Sequence, residues 1–231
     1  MSVKEEVEDF YDSYVGNQTK IGVSIRHRQI FKNLKSIGIK KDSKVLEIGC
    51  GIGTVSGLII SAIPDGHFLG CDISPKSIEL AGKFNPQKNA KFLVTDMSDF
   101  QYDQKFDFVV FPDVLEHIPV EQHSHLFKNV AAACKPNAKV LINIPEPNSL
   151  DWTRKYTPEK LQIIDQSLSM QELLNNTYPH GFYVQSIEPY SIHTNVPNYL
   201  KIILVRNPGV SDLHYNSKLS KLIQNIKVRF F

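Results

Sequence analysis

The chain has 231 residues, of which 42% are hydrophobic and 22% charged, as expected for one globular domain with a full core. Its formal net charge of +2 gives no reason to expect DNA binding through bulk electrostatics. Its three cysteines show neither metal-ligand spacing nor a redox pair, which favours a reduced, cytoplasmic environment. The acidic first ten residues lack a signal-peptide core, and the longest apolar runs are too short for a transmembrane segment.

Apolar residues at helical spacing between residues 5 and 37 predict an N-terminal helical cap that ends near Gly38. Short apolar runs then alternate with helical segments, which is typical of a mostly parallel sheet with helices on both faces. The sequence therefore predicts a doubly wound α/β fold. The predicted strands are Lys44–Ile48, His67–Asp72, Lys91–Val94, Phe106–Phe111 and Lys139–Ile144; the predicted helices span 53–63, 75–84 and 120–134, with a short turn near 98–101.

The alternation of strands and helices ends after Pro145. Residues 145–165 combine prolines with aromatic and charged residues, which predicts an inserted loop over a site. A helix at 169–176 follows, and then two strands, Phe182–Ile187 and Tyr199–Val205, which are predicted to pair as an antiparallel hairpin at the sheet edge. We expect a single domain with a cap (1–37), a binding core (38–145), a lid insertion and C-terminal hairpin (146–206) and a basic amphipathic tail (207–231).

A glycine-rich turn follows the first predicted strand. Its glycines are Gly49, Gly51 and Gly53. They permit positive φ angles and close approach of a ligand to the backbone, and the helix that starts there supplies free N–H groups. Such a turn also binds dinucleotides or merely closes a tight bend. The dinucleotide pattern GxGxxG, however, requires a third glycine at the position where this chain has Thr54. Glu47, in the preceding strand end, would repel a pyrophosphate but tolerates a cationic ligand.

The run Val45–Gly53 resembles the first motif of class I S-adenosylmethionine-dependent methyltransferases, and further segments match that family's pattern in order. These segments are Gly70–Ser74, Val94–Met97, Phe106–Ile118 and Cys134–Ile142, the last with Asn137 and Ala138 in place of the usual two glycines. The resemblance implies a Rossmann-like fold, methyltransferase activity and S-adenosylmethionine as cofactor.

The resemblance also implies roles for individual residues. Asp72 would accept hydrogen bonds from the ribose, Asp96 would meet the adenine, and Met97 would pack on its ring. From the residues alone, Asp72 is also a candidate helix N-cap and Asp96 a candidate turn residue. The implied cofactor-binding residues are Glu47, Gly49, Cys50, Gly51, Gly53, Asp72, Ile73, Asp96, Met97 and Asp113.

His117 is the predicted catalytic residue, because an imidazole suits a general base near neutral pH. A histidine that only packs at a helix start is the alternative. Asp113, Glu116 and His117 also resemble the metal-binding pattern of small-RNA 3′-end methyltransferases, with His123, His125, His180 and His193 as further ligand candidates. His123 and His125 are instead expected on the exposed face of the helix at 120–134, and no metal is predicted.

The predicted function is methyl transfer to a hydroxyl or amine of a small molecule, such as a sugar or secondary metabolite. The alternatives are an RNA or protein acceptor, a non-catalytic module that binds S-adenosylmethionine, and a nicotinamide-dependent reductase. From Lys201 onward the chain has six basic residues and one acidic residue. Residues 218–231 also have apolar residues at helical spacing, which predicts packing on the body of the protein, a homodimer contact or a weak membrane-surface contact. Candidate cap and acceptor residues are Arg26, His27, Arg28, Trp152, Arg154, Tyr156, His180, Tyr190 and His193.

Overall fold

Seven strands form one sheet in the computed structural model, which describes residues 3–207 together with 217 and 220. The predicted C-terminal amphipathic tail therefore lies outside the described residues. The strands are β1 Lys44–Ile48, β2 His67–Asp72, β3 Ala90–Val94, β4 Phe106–Pro112, β5 Cys134–Pro145, β6 Phe182–Tyr190 and β7 Tyr199–Arg206. The helices are α1 Val3–Ile21, α2 Ile25–Ser36, α3 Thr54–Ala62, α4 Pro75–Phe84, α5 Val120–Ala133, α6 Pro147–Tyr156 and α7 Met170–Thr177.

The sheet has the order β3-β2-β1-β4-β5-β7-β6. The first five strands pair in parallel, whereas β7 runs antiparallel to both of its neighbours, β5 and β6. The doubly wound sheet with an antiparallel C-terminal hairpin is thus confirmed. The chain leaves β1 in one direction along the sheet and β4 in the other, so that a crevice opens between the carboxyl ends of these two strands.

Two apolar clusters cover the two faces of the sheet. On one face α2 and α3 contribute Ile30, Leu34 and Ile59. On the other, α5 and α7 contribute Phe127 and Leu173. Burial on both faces explains why the central strands read as continuous apolar runs rather than alternating ones. Within residues 3–207, no helix combines the length and apolar character needed to cross a membrane.

The segment after β5 differs from the prediction. Residues 147–156 form α6, although the prolines and charges there predicted an inserted loop. The helix begins in a regular way: Pro147 stands at its first turn, where its missing N–H costs nothing, and the Glu146 side chain accepts a hydrogen bond from the Ser149 N–H at 2.9 Å. The strand β5 is also longer than predicted, since it starts at Cys134.

The three cysteines are free and buried. Cys50 lies in the glycine turn after β1, Cys71 lies in β2, and Cys134 begins β5 at the opposite end of the sheet. Burial raises the pKa of each thiol above its ordinary value, that of Cys134 to about 12, so the thiols are protonated at neutral pH.

Candidate active site

A cavity of about 370 Å³ opens at the carboxyl ends of β1, β2 and β4. This is the crevice where ligands of open α/β sheets bind. Most of the predicted site residues line it: Glu47, Gly49, Cys50, Gly51, Asp72, Ile73, Asp96, Met97, Asp113 and His117. The fold therefore brings together side chains from five segments that lie up to seventy residues apart in sequence.

The glycine turn depends on the absence of side chains. Gly49 has a φ of 74°, and a Cβ there would lie 2.3 Å from Cγ2 of Val114. Gly53, also predicted to bind the cofactor, does not line the cavity. A Cβ on Gly53 would meet Nδ2 of Asn85 at 2.5 Å, so this glycine lets the start of α3 pack closely against α4.

Asp72 fixes the glycine turn to the end of β2. Its Oδ2 accepts a hydrogen bond from the Gly51 N–H at 2.8 Å, and its Oδ1 accepts one from the Ser74 N–H at 3.0 Å. The N-cap role that Asp72 offered as an alternative belongs to Ser74, whose Oγ accepts from the Ser77 N–H at 3.0 Å. Burial raises the pKa of Asp72, and the two backbone hydrogen bonds oppose that rise.

Glu47 is a fully buried carboxyl at the base of the cavity. Its Oε2 accepts a 2.6 Å hydrogen bond from Ser56 Oγ, and no described residue donates to its Oε1. Burial raises the pKa of Glu47 to about 8, opposed by the Ser56 hydrogen bond and increased by the nearby charge of Asp72. An anion in this position lacks a cationic partner among the described residues, so the cavity fits a ligand that brings positive charge.

Replacing Glu47 with glutamine should stabilise the ligand-free protein at high pH. A raised folded pKa means that Glu47 contributes stability below pH 4.5 and loses that contribution as the pH rises through about 8. Glutamine has no proton to lose, so the gain in melting temperature over wild type should grow from pH 5 to pH 9 and reach at least about 3 °C. Thermal melts at both pH values measure this gain.

The control for this prediction is Glu79→Gln, an exposed carboxyl on α4 that is paired with Lys83. The gain in melting temperature of Glu79→Gln over wild type should not grow with pH. Equal curves for Glu47→Gln and wild type at pH 9 would contradict the role of burial at Glu47.

Asp113 sits at the end of β4 in a left-handed conformation with a φ of 57°. Its N–H donates to the Asn143 carbonyl at 3.0 Å, and its Oδ2 lies 3.1 Å from Nη1 of Arg26 on α2. Burial raises the pKa of Asp113 to about 6, and the Arg26 charge opposes the rise. The buried Asn33 side chain donates to Asn143 Oδ1 at 2.8 Å, which fixes α2 to β5 and so places Arg26 beside the cavity.

Asp96 and Met97 lie at the rim next to β3. Asp96 Oδ1 accepts from the Ser98 N–H at 3.0 Å and from Ser98 Oγ at 2.6 Å, which is the turn contact that its alternative interpretation requires. Met97 is buried with a φ of 66°, and its N–H donates to Thr95 Oγ1 at 2.9 Å. Both residues line the cavity, so the turn presents them to a ligand.

Helix α1 covers one side of the cavity, where Val7 and Tyr11 line it. Asp12 Oδ1 accepts hydrogen bonds from Ser74 Oγ and from the Lys76 N–H, the latter at 3.3 Å. The helical cap predicted from the sequence therefore contacts the start of α4, which follows the strand that carries Asp72.

His117 ends a short 3-10 helix, Leu115–His117, that follows β4. Its Nδ1 lies 2.5 Å from the Ile164 carbonyl oxygen and 3.2 Å from Asp165 Oδ1, and its Nε2 lies 3.8 Å from Glu116 Oε1. Burial lowers the pKa of His117, and the charge of Asp165 opposes this effect. The imidazole is therefore neutral at pH 7 and lines the cavity.

No group of three or more His, Cys, Asp or Glu side chains within the described range is arranged to hold a metal ion. Asp113 turns to Arg26, and His117 turns its Nδ1 to the Ile164 carbonyl. The expectation that His123 is exposed is wrong: it is buried beneath α5, with Nε2 2.8 Å from the Ile118 carbonyl oxygen, because that face of the helix packs on the sheet.

Several predicted acceptor residues lie away from the cavity. Of that set only Arg26 and His27 line it; the others, which do not, are Arg28, Trp152, Arg154, Tyr156, His180, Tyr190 and His193. The cavity is instead lined by residues that the sequence did not single out as binding residues, among them Tyr11, Gln122, Gln162 and Ile164. Tyr11 lies among the apolar residues that predicted the N-terminal helical cap, and Gln162 and Ile164 lie in the segment predicted to be a loop over a site. Gln122 lies on α5 and no pattern marked it.

The chain is similar to known proteins over most of its length. A family model described as a methyltransferase domain matches residues 45–137. Malonyl-(acyl-carrier protein) O-methyltransferase 1 of Ilyobacter polytropus is 31% identical over 209 residues, which cover 84% of this chain and 71% of that protein. The chain belongs to the class I S-adenosylmethionine-dependent methyltransferases. As a member of this family, the methyltransferase uses S-adenosylmethionine as its cofactor.

Other relatives match the methyltransferase over different shares of their length. Phosphoethanolamine N-methyltransferase 2 of Caenorhabditis elegans is 31% identical over 201 residues, which cover 84% of this chain but 43% of that protein. The chain spans 33% of the malonyl-(acyl-carrier protein) O-methyltransferase of Acetivibrio thermocellus. Magnesium protoporphyrin IX methyltransferase from Synechocystis PCC 6803, with bound SAH, shares the fold at a TM-score of 0.69 and 19% identity, covering 88% of this chain and 99% of that one.

Proposed function

We propose that this methyltransferase transfers a methyl group to a hydroxyl or amine of a small molecule, with His117 as the general base. The observation that carries the proposal is the state of His117. Its Nδ1 is occupied by the Ile164 carbonyl and its ring is neutral, so Nε2 is the nitrogen available to an acceptor in the cavity.

The chain's own residues supply the binding of S-adenosylmethionine. Glu47 offers a buried acid to the positive charge of the cofactor, and Asp72 offers carboxylate oxygens to its ribose hydroxyls. Asp96 and Met97 lie where the adenine would bind, beside Ile73. The backbone of Gly49, Cys50 and Gly51 would hold the methionine part, and Asp113 would border the acceptor side. When bound, the cofactor supplies a methyl group on a positively charged sulfur.

Two observations bear on the acceptor: the cavity and the names of the relatives. The cavity of about 370 Å³ lies within the range of small-molecule sites, and Val7, Tyr11 and Gln162 line it beside the residues proposed to bind the cofactor. The names of the relatives describe one O-methyltransferase and one N-methyltransferase, which supports oxygen or nitrogen as the accepting atom. A neutral imidazole serves both, since it removes a proton from a hydroxyl or from an ammonium group.

The test uses S-adenosylmethionine with a labelled methyl group and a cell extract separated by size. We expect wild-type protein to label the low-mass fraction and the Asp72→Ala variant to label it far less. Label only in the protein or RNA fraction would contradict a small acceptor. Cofactor binding by calorimetry without any transfer of label would instead indicate a non-catalytic binding module.

A further inference from the structure

The segment of residues 161–168, called the strap here, is held against the short helix that carries His117. Gln166 makes most of these contacts. Its N–H donates to the Glu116 carbonyl at 3.0 Å, its Nε2 donates to the Ile118 carbonyl at 2.7 Å, and its Oε1 accepts from the Val120 N–H at 3.3 Å. The strap thus follows the backbone on both sides of His117.

A second set of contacts fixes the strap to α6. Arg154 Nη2 donates to the Asp165 carbonyl oxygen at 2.8 Å, and Arg154 Nη1 donates to Ser167 Oγ at 3.1 Å. Ser167 Oγ in turn donates to Asp151 Oδ1 at 2.5 Å. The main chain at Asp165 is therefore held from two directions, which leaves its side chain little freedom.

The Asp165 carboxylate faces His117. Its Oδ2 accepts a 2.6 Å hydrogen bond from the Gln162 N–H, and its Oδ1 lies 3.2 Å from Nδ1 of His117. The side chains of Asp165 and His117 are only 9% and 8% exposed. Water therefore screens this pair weakly, and the charge of Asp165 acts strongly on the ring.

The tautomer of His117 follows from its neighbours. The Ile164 carbonyl oxygen can only accept a hydrogen bond, so Nδ1 carries the hydrogen and Nε2 carries the lone pair. Asp165 Oδ1 approaches the same Nδ1–H. The other titratable or charged groups around the ring are Glu116 beside it, Asp113 at the end of β4, Arg26 on α2 and Tyr11 on α1.

Asp165 is the group best placed to stabilise positive charge on His117. Burial raises the pKa of Glu116 well above its ordinary value, which favours the neutral form of that acid. Asp113 is paired with Arg26, and the Arg26 charge opposes protonation of the ring. The charge of Asp165 therefore opposes the effects of both burial and the Arg26 charge on the pKa of His117.

We propose that Asp165 is the positioning residue of this enzyme, holding Nδ1–H of His117 and stabilising the imidazolium that forms when Nε2 accepts a proton. The inference rests on the proposed function. The acceptor loses one proton from its oxygen or nitrogen to Nε2, and its lone pair forms the new bond to the methyl carbon. The carbon–sulfur bond breaks with its electron pair on sulfur, and Asp165 stays ionised throughout.

The first test measures the pKa of His117 by NMR on the full chain with ¹⁵N-labelled histidine and no ligand. His117→Asn assigns the signals by their disappearance. We expect Asp165→Asn to lower the pKa of His117 by about 1 unit or more, because a carboxylate within hydrogen-bonding distance is removed. Asp151→Asn is the matched control: it loosens the same strap without touching His117 and should leave that pKa unchanged.

The second test measures label transfer into the low-mass fraction against pH. Asp165→Asn should lower the rate about tenfold or more and move the acid limb of the profile to lower pH, in step with the NMR value. Asp165→Glu, which keeps the charge, should restore part of the rate. Loss of rate in Asp151→Asn equal to that in Asp165→Asn would show that only strap structure matters and would overturn the proposal.

The titration also separates this inference from the proposed function. An unchanged His117 pKa in folded Asp165→Asn overturns the role of Asp165 even when His117→Asn is inactive. A fully active His117→Asn overturns the base itself, whatever the titration shows. If Asp165→Asn fails to fold, the ¹⁵N shifts of wild type decide: hydrogen on Nε2 rather than Nδ1 in the neutral ring overturns the proposal.

Discussion

Replacing His117 with asparagine should lower turnover about 10²–10⁴-fold, the usual contribution of a general base, while the fold and cofactor affinity stay close to wild type. Asparagine fits the site and can donate to the Ile164 carbonyl, but it cannot accept a proton at neutral pH. Wild-type activity should persist below pH 6.5, because burial lowers the pKa of His117, and fall only at more acidic pH. Label transfer across pH 4.5–9, with a melt of each variant, measures both effects.

The matched control for this variant is His123→Asn. His123 is buried on α5 close to His117 but does not line the cavity. We expect it to lose stability and to keep its rate per folded molecule. If His117→Asn behaves in that same way, His117 is a packing residue and catalysis depends on alignment of donor and acceptor alone. Loss of wild-type activity on chelation, restored by a divalent ion, would instead favour the metal hypothesis.

Replacing Asp72 with alanine should weaken S-adenosylmethionine binding far more than tenfold. Two hydrogen bonds from the ribose to a charged acceptor are lost, at about 1.5–3 kcal/mol each. The variant also removes the acceptor that holds the Gly51 N–H, so the glycine turn loses its tie to β2. Calorimetry on the folded variant measures the affinity.

Two further variants locate the cause of that loss. Asp72→Asn keeps one acceptor oxygen and should bind with intermediate affinity. Asp96→Ala removes an acid at the rim that accepts hydrogen bonds from Ser98. It should lower cofactor affinity less than Asp72→Ala does. Cofactor affinity of Asp72→Ala equal to wild type would mean that another acid receives the ribose.

The meeting of Glu47, Asp72 and Asp96 at the cavity was predictable because these residues lie at strand ends. Each of Glu47, Asp72 and Asp96 stands at or just after the end of a parallel strand, and parallel strands align those ends at one edge of the sheet. The glycine turn adds a local signal, since its backbone angles require particular residues. Gly53 shows the limit of that signal: a positive φ there serves packing against α4.

The surroundings of His117 were not predictable to the same degree. Asp165 and Ile164 reach His117 across 47 residues or more of sequence, through contacts of the strap that have no period and no motif. Trp152 and Tyr156, candidates within the predicted lid insertion, lie on α6, where each is 56% exposed. The residues of the strap are placed by the tertiary packing of an irregular segment, which local propensity does not encode.

The alkylation rates of the three buried cysteines measure local opening of the folded protein at three different places. Thiolates react with alkylating reagents and thiols hardly do, so labelling of Cys50, Cys71 and Cys134 in the native state must follow exposure of each site. Cys50 reports motion of the glycine turn, whereas Cys134 reports the far end of the sheet. Saturation with S-adenosylmethionine should therefore slow labelling at Cys50 more than at Cys134. Mass spectrometry of the labelled peptides measures the rate at each cysteine and shows where ligand binding suppresses local opening.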